Sequence, residues 1–103
     1  MSRFFLLTPS AGRDINAILT YVMENSGPAR AEHVRGKLLD GFRRISAQPN
    51  LVGHVRDDLA DESLRVHVVF SYLVIYRLDT DPVQIIRVIH GARDLTKALE
   101  EDA

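Results

Sequence analysis

A chain of 103 residues, 46 % of them hydrophobic, can hold one domain around a single core and is too short for two. The absence of cysteine excludes a disulfide framework and a thiolate metal site, and the four histidines (33, 54, 67 and 90) share no metal-ligand spacing. The formal net charge of −1 lacks the positive excess of a domain that reads nucleic acid.

Residues 3–7, RFFLL, form a short strand signal that stops at Thr8-Pro9, where Thr8 is the expected N-cap and Pro9 the first helical residue. The apolar run at 4–7 is far shorter than the roughly 7–15 residues of a signal-peptide core. The chain is therefore expected to be unprocessed, cytoplasmic and without a membrane segment. A helix over 9–25 follows from the stripe Ala11, Ile15, Ile18, Leu19 and Val22, with Tyr21 on its flank, and it ends at Asn25-Ser26-Gly27. Pro28 repeats the start signal. Ala31, Val34, Leu38, Phe42 and Ile45 then predict a second helix over 28–47, antiparallel to the first because the link is so short. This helix is basic, with Arg30, Arg35, Lys37, Arg43 and Arg44 against Glu32 and Asp40.

Residues 49–63 carry Gly53 and a cluster of acids and have no sustained period, which predicts a loop with a turn of helix. Leu51, Val55 and Leu59 are its candidate anchors. The unbroken run 64–78 would span about 50 Å as one strand, too long for a domain of this size, so it must fold back, at Phe70-Ser71. The strand signals at 72–78 and 83–90 then make a hairpin across Asp79-Thr80-Asp81-Pro82.

Pairing Val69 with Tyr72 and Leu78 with Val83 assigns two faces. Leu64, Val66, Val68, Leu73, Ile75, Ile86 and Val88 make an aliphatic face, expected to be the core. Arg65, His67, Tyr72, Val74, Tyr76, Ile85, Arg87 and Ile89 make an apolar and aromatic face with two guanidinium groups set into it, expected to stay open for a protein partner. The expected fold is α+β in the order β-α-α-β-β-β, one domain over 1–103, with an antiparallel sheet carrying a helical hairpin on one face.

That order, with Asp14-Ile15, Ile18-Leu19-Thr20-Tyr21, Gln48-Pro49, Gly53, Leu64-Arg65, Tyr76-Arg77 and the exit Ile86-Arg87-Val88-Ile89-His90-Gly91-Ala92-Arg93-Asp94-Leu95, resembles the RelE/ParE superfamily of toxins from bacterial toxin–antitoxin pairs. The wording is closest to the ParE branch. Phe70 departs from the pattern, standing in a turn where relatives usually offer glycine.

The resemblance implies a growth-arresting, plasmid-stabilising toxin that binds DNA gyrase and has no catalytic residue, cofactor or metal of its own. It implies a hetero-oligomer with an acidic antitoxin whose N-terminal half is ribbon-helix-helix-like, and no sequence-specific nucleic-acid binding. The antitoxin would meet Arg65, Tyr72, Val74, Tyr76, Ile85, Arg87 and Ile89, and the candidates for toxicity are His90, Arg93 and Asp94. Two alternatives stay open: a ribosome-dependent messenger-RNA endonuclease of RelE type, and a non-toxic relative that only binds an antitoxin. Nucleases of that branch resemble one another in clustering cations on the central strands, with a Tyr or His near the C-terminus. An ungapped match on Tyr72 and Gly91 places Leu64, Val66, Leu73 and Leu99 at those positions, with only Arg93 on a cation. A nuclease site here would have to use Arg65, His67, Arg87, His90 and Arg93.

Overall fold

Each helix begins on a proline, the residue whose missing N–H costs nothing in a first turn. The computed structural model describes residues 4–56, 58, 59, 61–91 and 99. In chain order they form β1 (Phe5–Leu7), α1 (Pro9–Ser26), α2 (Pro28–Ala47), α3 (Pro49–Val52), β2 (Leu64–Val69), β3 (Tyr72–Arg77) and β4 (Val83–His90). Thr8 caps α1 as expected, its hydroxyl accepting the Ala11 N–H at 3.2 Å. Gly27 alone links α1 to α2. Its φ of +86° is a left-handed conformation that a side chain would resist, and it lets the Gly27 N–H reach the Met23 carbonyl while its own carbonyl accepts from Ala31.

The four strands lie in the order β1-β4-β3-β2. The last three pair antiparallel, but β1 runs parallel to β4, with Phe5 opposite Val83, so the sheet is mixed and not purely antiparallel. A three-residue strand carries no sequence signal for the direction of its neighbour. The turn at Phe70-Ser71 is as expected, Val69 facing Tyr72, and Phe70 itself adopts the positive φ (+54°) that glycine would take more readily.

The β3–β4 register follows the expectation only near the turn, through Arg77 with Gln84 and Tyr76 with Ile85. It then slips by one residue, so that Ile75 faces Arg87, Val74 faces Val88 and Leu73 faces Ile89. The extra residue is a β-bulge, which bends the strand and re-aims the side chains beyond it. Val88 thereby joins Val74, and Ile89 joins Leu73 and Ile75.

The helical hairpin covers the face expected to be open. Val74, Tyr76, Val83, Ile85 and Val88 pack with Val34, Leu38, Phe42 and Ile45 of α2 and with Ala11 and Val22 of α1. The face expected to receive the helices, Leu64, Val66, Leu73 and Ile75 with Ile89, instead packs against Leu59 of the loop, with Ile86 and Leu99 alongside. Both faces are apolar, so composition could not say which the helices would choose. Among the described residues, Leu59 and Leu99 pack over the second.

Leu51 and Val55 are exposed, and the anchors of that segment are Val52 and Leu59. Tyr76 holds it from below: its hydroxyl donates to the Pro49 carbonyl at 2.6 Å and accepts the Gly53 N–H at 2.8 Å. Burial raises the pKa of this phenol. A Cβ on Gly53 would lie 2.4 Å from that oxygen, so the close approach of backbone to ring requires glycine here.

Candidate partner-binding groove

β1 stops at Leu7, opposite Ile85, and beyond that point no strand among the described residues lies along the outer edge of β4. The first turns of α1 take over. The Thr8 hydroxyl donates to the Ile86 carbonyl at 2.8 Å, and an Asp14 oxygen accepts the Val88 N–H at 3.0 Å. The two carboxylate oxygens of Asp14 also receive Arg87, at 2.7 Å from Nε and 3.0 Å from the terminal nitrogen. This fork is nearly enclosed, with side chains 8 % and 14 % exposed for Arg87 and Asp14. The bulge, its orphaned backbone groups and the buried guanidinium are thus satisfied from one helix.

Next to this joint, Asp14, Ala17, Ile18 and Tyr21 stand at i, i+3, i+4 and i+7, on one face of α1. They form one wall of a cavity of about 270 Å³ whose other wall is Tyr72, Val88, Ile89 and His90. Tyr72 and His90 are paired across the strands, their rings 5.9 Å apart and edge-on. Tyr21 is 67 % exposed at the rim. An apolar floor between two phenols and an imidazole suits an apolar or aromatic anchor of a partner protein. Asp14, already engaged by Arg87, serves the fold.

The structure disperses the sequence candidates. Val74, Tyr76, Ile85, Ile89 and Arg87 are buried, so the open face expected of them does not exist. Arg65 is half-buried and donates to the carbonyls of Glu62 and Leu64, which ties down the loop before β2. Tyr72 and His90, with the buried Ile89, line the groove, while Arg93 and Asp94 lie outside the described residues. His67 lies elsewhere, beside Arg44 at the α2–β2 edge; burial, then the charges of Arg44 and His54, lower its pKa. Among the described residues no three His, Cys, Asp or Glu side chains group closely enough to hold a metal ion.

Sequence reasoning missed Asp14, Ile18 and Tyr21 as a wall of this groove. The available signal was an acid at position 14 inside an apolar helix stripe, which demands a buried cation opposite it.

Comparison with known proteins agrees with this architecture. Residues 5–95 match the family model described as the ParE toxin of the type II toxin–antitoxin system parDE. Toxin ParE3 of Caulobacter vibrioides is 33 % identical over 99 residues, covering 96 % of each chain. A solved structure titled as the chromosomal ParDE TA system from P. aeruginosa superposes with a TM-score of 0.65 at 15 % identity, over 84 % of this chain and 92 % of that one. With the family model spanning both helices and the whole sheet, the chain belongs to the ParE toxins of type II toxin–antitoxin systems.

Proposed function

We propose that this toxin arrests growth by binding DNA gyrase, without chemistry of its own, and that an acidic antitoxin holds it inactive in the cytoplasm. One observation carries the choice against a nuclease: the sheet face away from the helices is closed by aliphatic packing. Leu64, Val66 and Leu73 are 7 %, 3 % and 8 % exposed, and Leu99 packs on their cluster. These are the four positions at which the nuclease branch is expected to carry its cations and terminal aromatic. RNA cleavage through a 2′-OH needs a proton acceptor and cations around a phosphorane-like transition state, and leucine and valine offer neither. No helix among the described residues is long and apolar enough to cross a membrane, in keeping with a cytoplasmic target.

The test sets purified protein in a gyrase supercoiling and DNA-cleavage assay beside a translating-ribosome assay of messenger cleavage. Inhibited gyrase with intact messenger is the expected result. Codon-positioned cuts with unaffected gyrase would reverse the assignment, and inactivity in both would leave a non-toxic antitoxin binder.

The antitoxin's anchor side chain is assigned to the groove between α1 and Tyr72, where Tyr21 and Tyr72 line an accessible apolar floor while Val74, Tyr76 and Ile85 lie under the helices. The solved neighbour's title describes a toxin–antitoxin system, which supports such a partner. Replacing Tyr21 and Tyr72 together by Ala should weaken the antitoxin complex by at least about tenfold, as for aromatic anchors in general. Titration calorimetry on a variant with an unchanged helical spectrum checks this. Wild-type affinity would place the antitoxin elsewhere.

A further inference from the structure

The five basic residues of α2 are not equivalent. Arg35 is paired with Glu32 and Arg43 with Asp40, each at i, i+3 on the helix. The remaining three, Arg30, Lys37 and Arg44, are exposed and have no carboxylate partner among the described residues. They recur every seven residues, two turns less about 20°, and so stand in one row with about 10.5 Å between neighbours. The row runs beside β2. Arg30 lies over the Phe70 ring, 5.5 Å from its centre, while Lys37 and Arg44 line a cavity of about 170 Å³ with His67, Val68, Val69, Gly41 and the carboxylate of Asp40.

Between the three cations the helix offers His33, Asp40 and, at Gly41, bare backbone. A Cβ at Gly41 would meet Val69 at 2.8 Å, so glycine also lets α2 lie close against the strand. This stretch of helix itself carries no apolar or aromatic anchor of the kind that centres a protein interface, and the exposed Val68 and Phe70 beside it belong to β2 and its turn. A phosphodiester backbone needs only cations at intervals on a rigid support, and it is bound without reading bases.

We propose that the Arg30–Lys37–Arg44 row is a contact surface for the backbone of duplex DNA, engaged without sequence preference. The overall charge of −1 does not oppose this, because the row is local and its counter-charges are spent on Arg35 and Arg43. The proposal is independent of the toxin's target and can be tested with DNA alone.

The experiment is fluorescence anisotropy of a labelled duplex of arbitrary sequence titrated with the purified protein at several salt concentrations. Three neutralised phosphates predict a slope of about −2.7 in log association constant against log salt, or roughly forty-fold weaker binding at 200 mM than at 50 mM. A second, unrelated duplex should give the same curve. Replacing Arg30, Lys37 and Arg44 by Ala should abolish the slope, each single change removing about one unit of it. The paired cations Arg35 and Arg43, replaced together, should change affinity by less than about twofold. Should the triple Ala variant lose its helical spectrum, Lys37→Gln with Arg44→Gln repeats the test at conserved length. A salt-independent signal, an undiminished triple variant or an equal loss in the Arg35/Arg43 control would overturn the proposal. Tighter binding of an acidic peptide than of DNA would give the row to a protein partner instead.

Discussion

Replacing Asp14 by Ala is expected to cost about 3–5 kcal/mol, because it leaves the Arg87 guanidinium buried without its counter-charge. The same change strips the Val88 N–H of its acceptor at the bulge. In a domain of this size that loss lowers the melting temperature by well over about 10 °C. Asp14→Asn should fall between, since the amide oxygen can still accept from Val88 or Arg87 but carries no charge. Replacing the pair together, Asp14→Leu with Arg87→Met, should recover the part of the loss due to the unpaired charge, as apolar replacements of buried pairs generally do, and leave the part due to the Val88 N–H without its acceptor. Chemical denaturation of the four proteins checks the set. A cost under about 1 kcal/mol for Asp14→Ala would mean that water reaches the pair. The same physics explains why Arg87→Ala is a poor probe of partner binding: it would damage the joint before it touched any interface.

Phe42→Ala should cost a similar 3–5 kcal/mol, since it removes a large buried ring and leaves a cavity that its neighbours can fill only in part. Phe42 is 1 % exposed and packs against Phe5, ring centroids 5.3 Å apart and tilted by 59°. Phe5 is the one partly buried residue of β1, because Leu6 and Leu7 are exposed. Truncating Phe42 should therefore also loosen β1, visible as faster amide exchange at Leu6 and Leu7 relative to β3. Urea unfolding gives the magnitude, and a change under about 1 kcal/mol would contradict the packing described.

How much of this was legible in the sequence depends on whether the signal was local. Helices expected at 9–25 and 28–47 are found at Pro9–Ser26 and Pro28–Ala47, because proline, a threonine cap and a glycine mark their ends within one or two residues. The strands were equally plain. The bulge was not: Ile86 and Arg87 include neither glycine nor proline, and an inserted residue in a doubly apolar strand breaks no visible alternation. That single slip exchanged Val88 and Ile89 between faces. The choice of covered face was invisible for a different reason, since the described residues packed over the second face include Leu59 and Leu99, isolated leucines without periodicity around them. The groove was hidden by the same slip: the expected register set Tyr72 opposite Ile89 and His90 on the other face, so only the bulge brings Tyr72 and His90 together, and the α1 wall became legible only once the covered face was known.

The joint between α1 and β4 also fixes an order of assembly in time. Thr8 and Ile86 are separated by 78 residues along the chain, Asp14 and Arg87 by 73, and β1 is paired with β4 in the sheet. Contacts of such long range form after local ones, since closing the loop costs entropy before any contact is gained. The helical hairpin and the β2–β3 turn can form as soon as they are made, whereas β1 must wait for β4. Until β4 arrives, the groove lacks Val88, Ile89 and His90, and the aliphatic face lacks Ile89. A nascent or truncated chain ending before β4 therefore presents neither surface, and an antitoxin that uses the groove can engage only after this strand has taken its place.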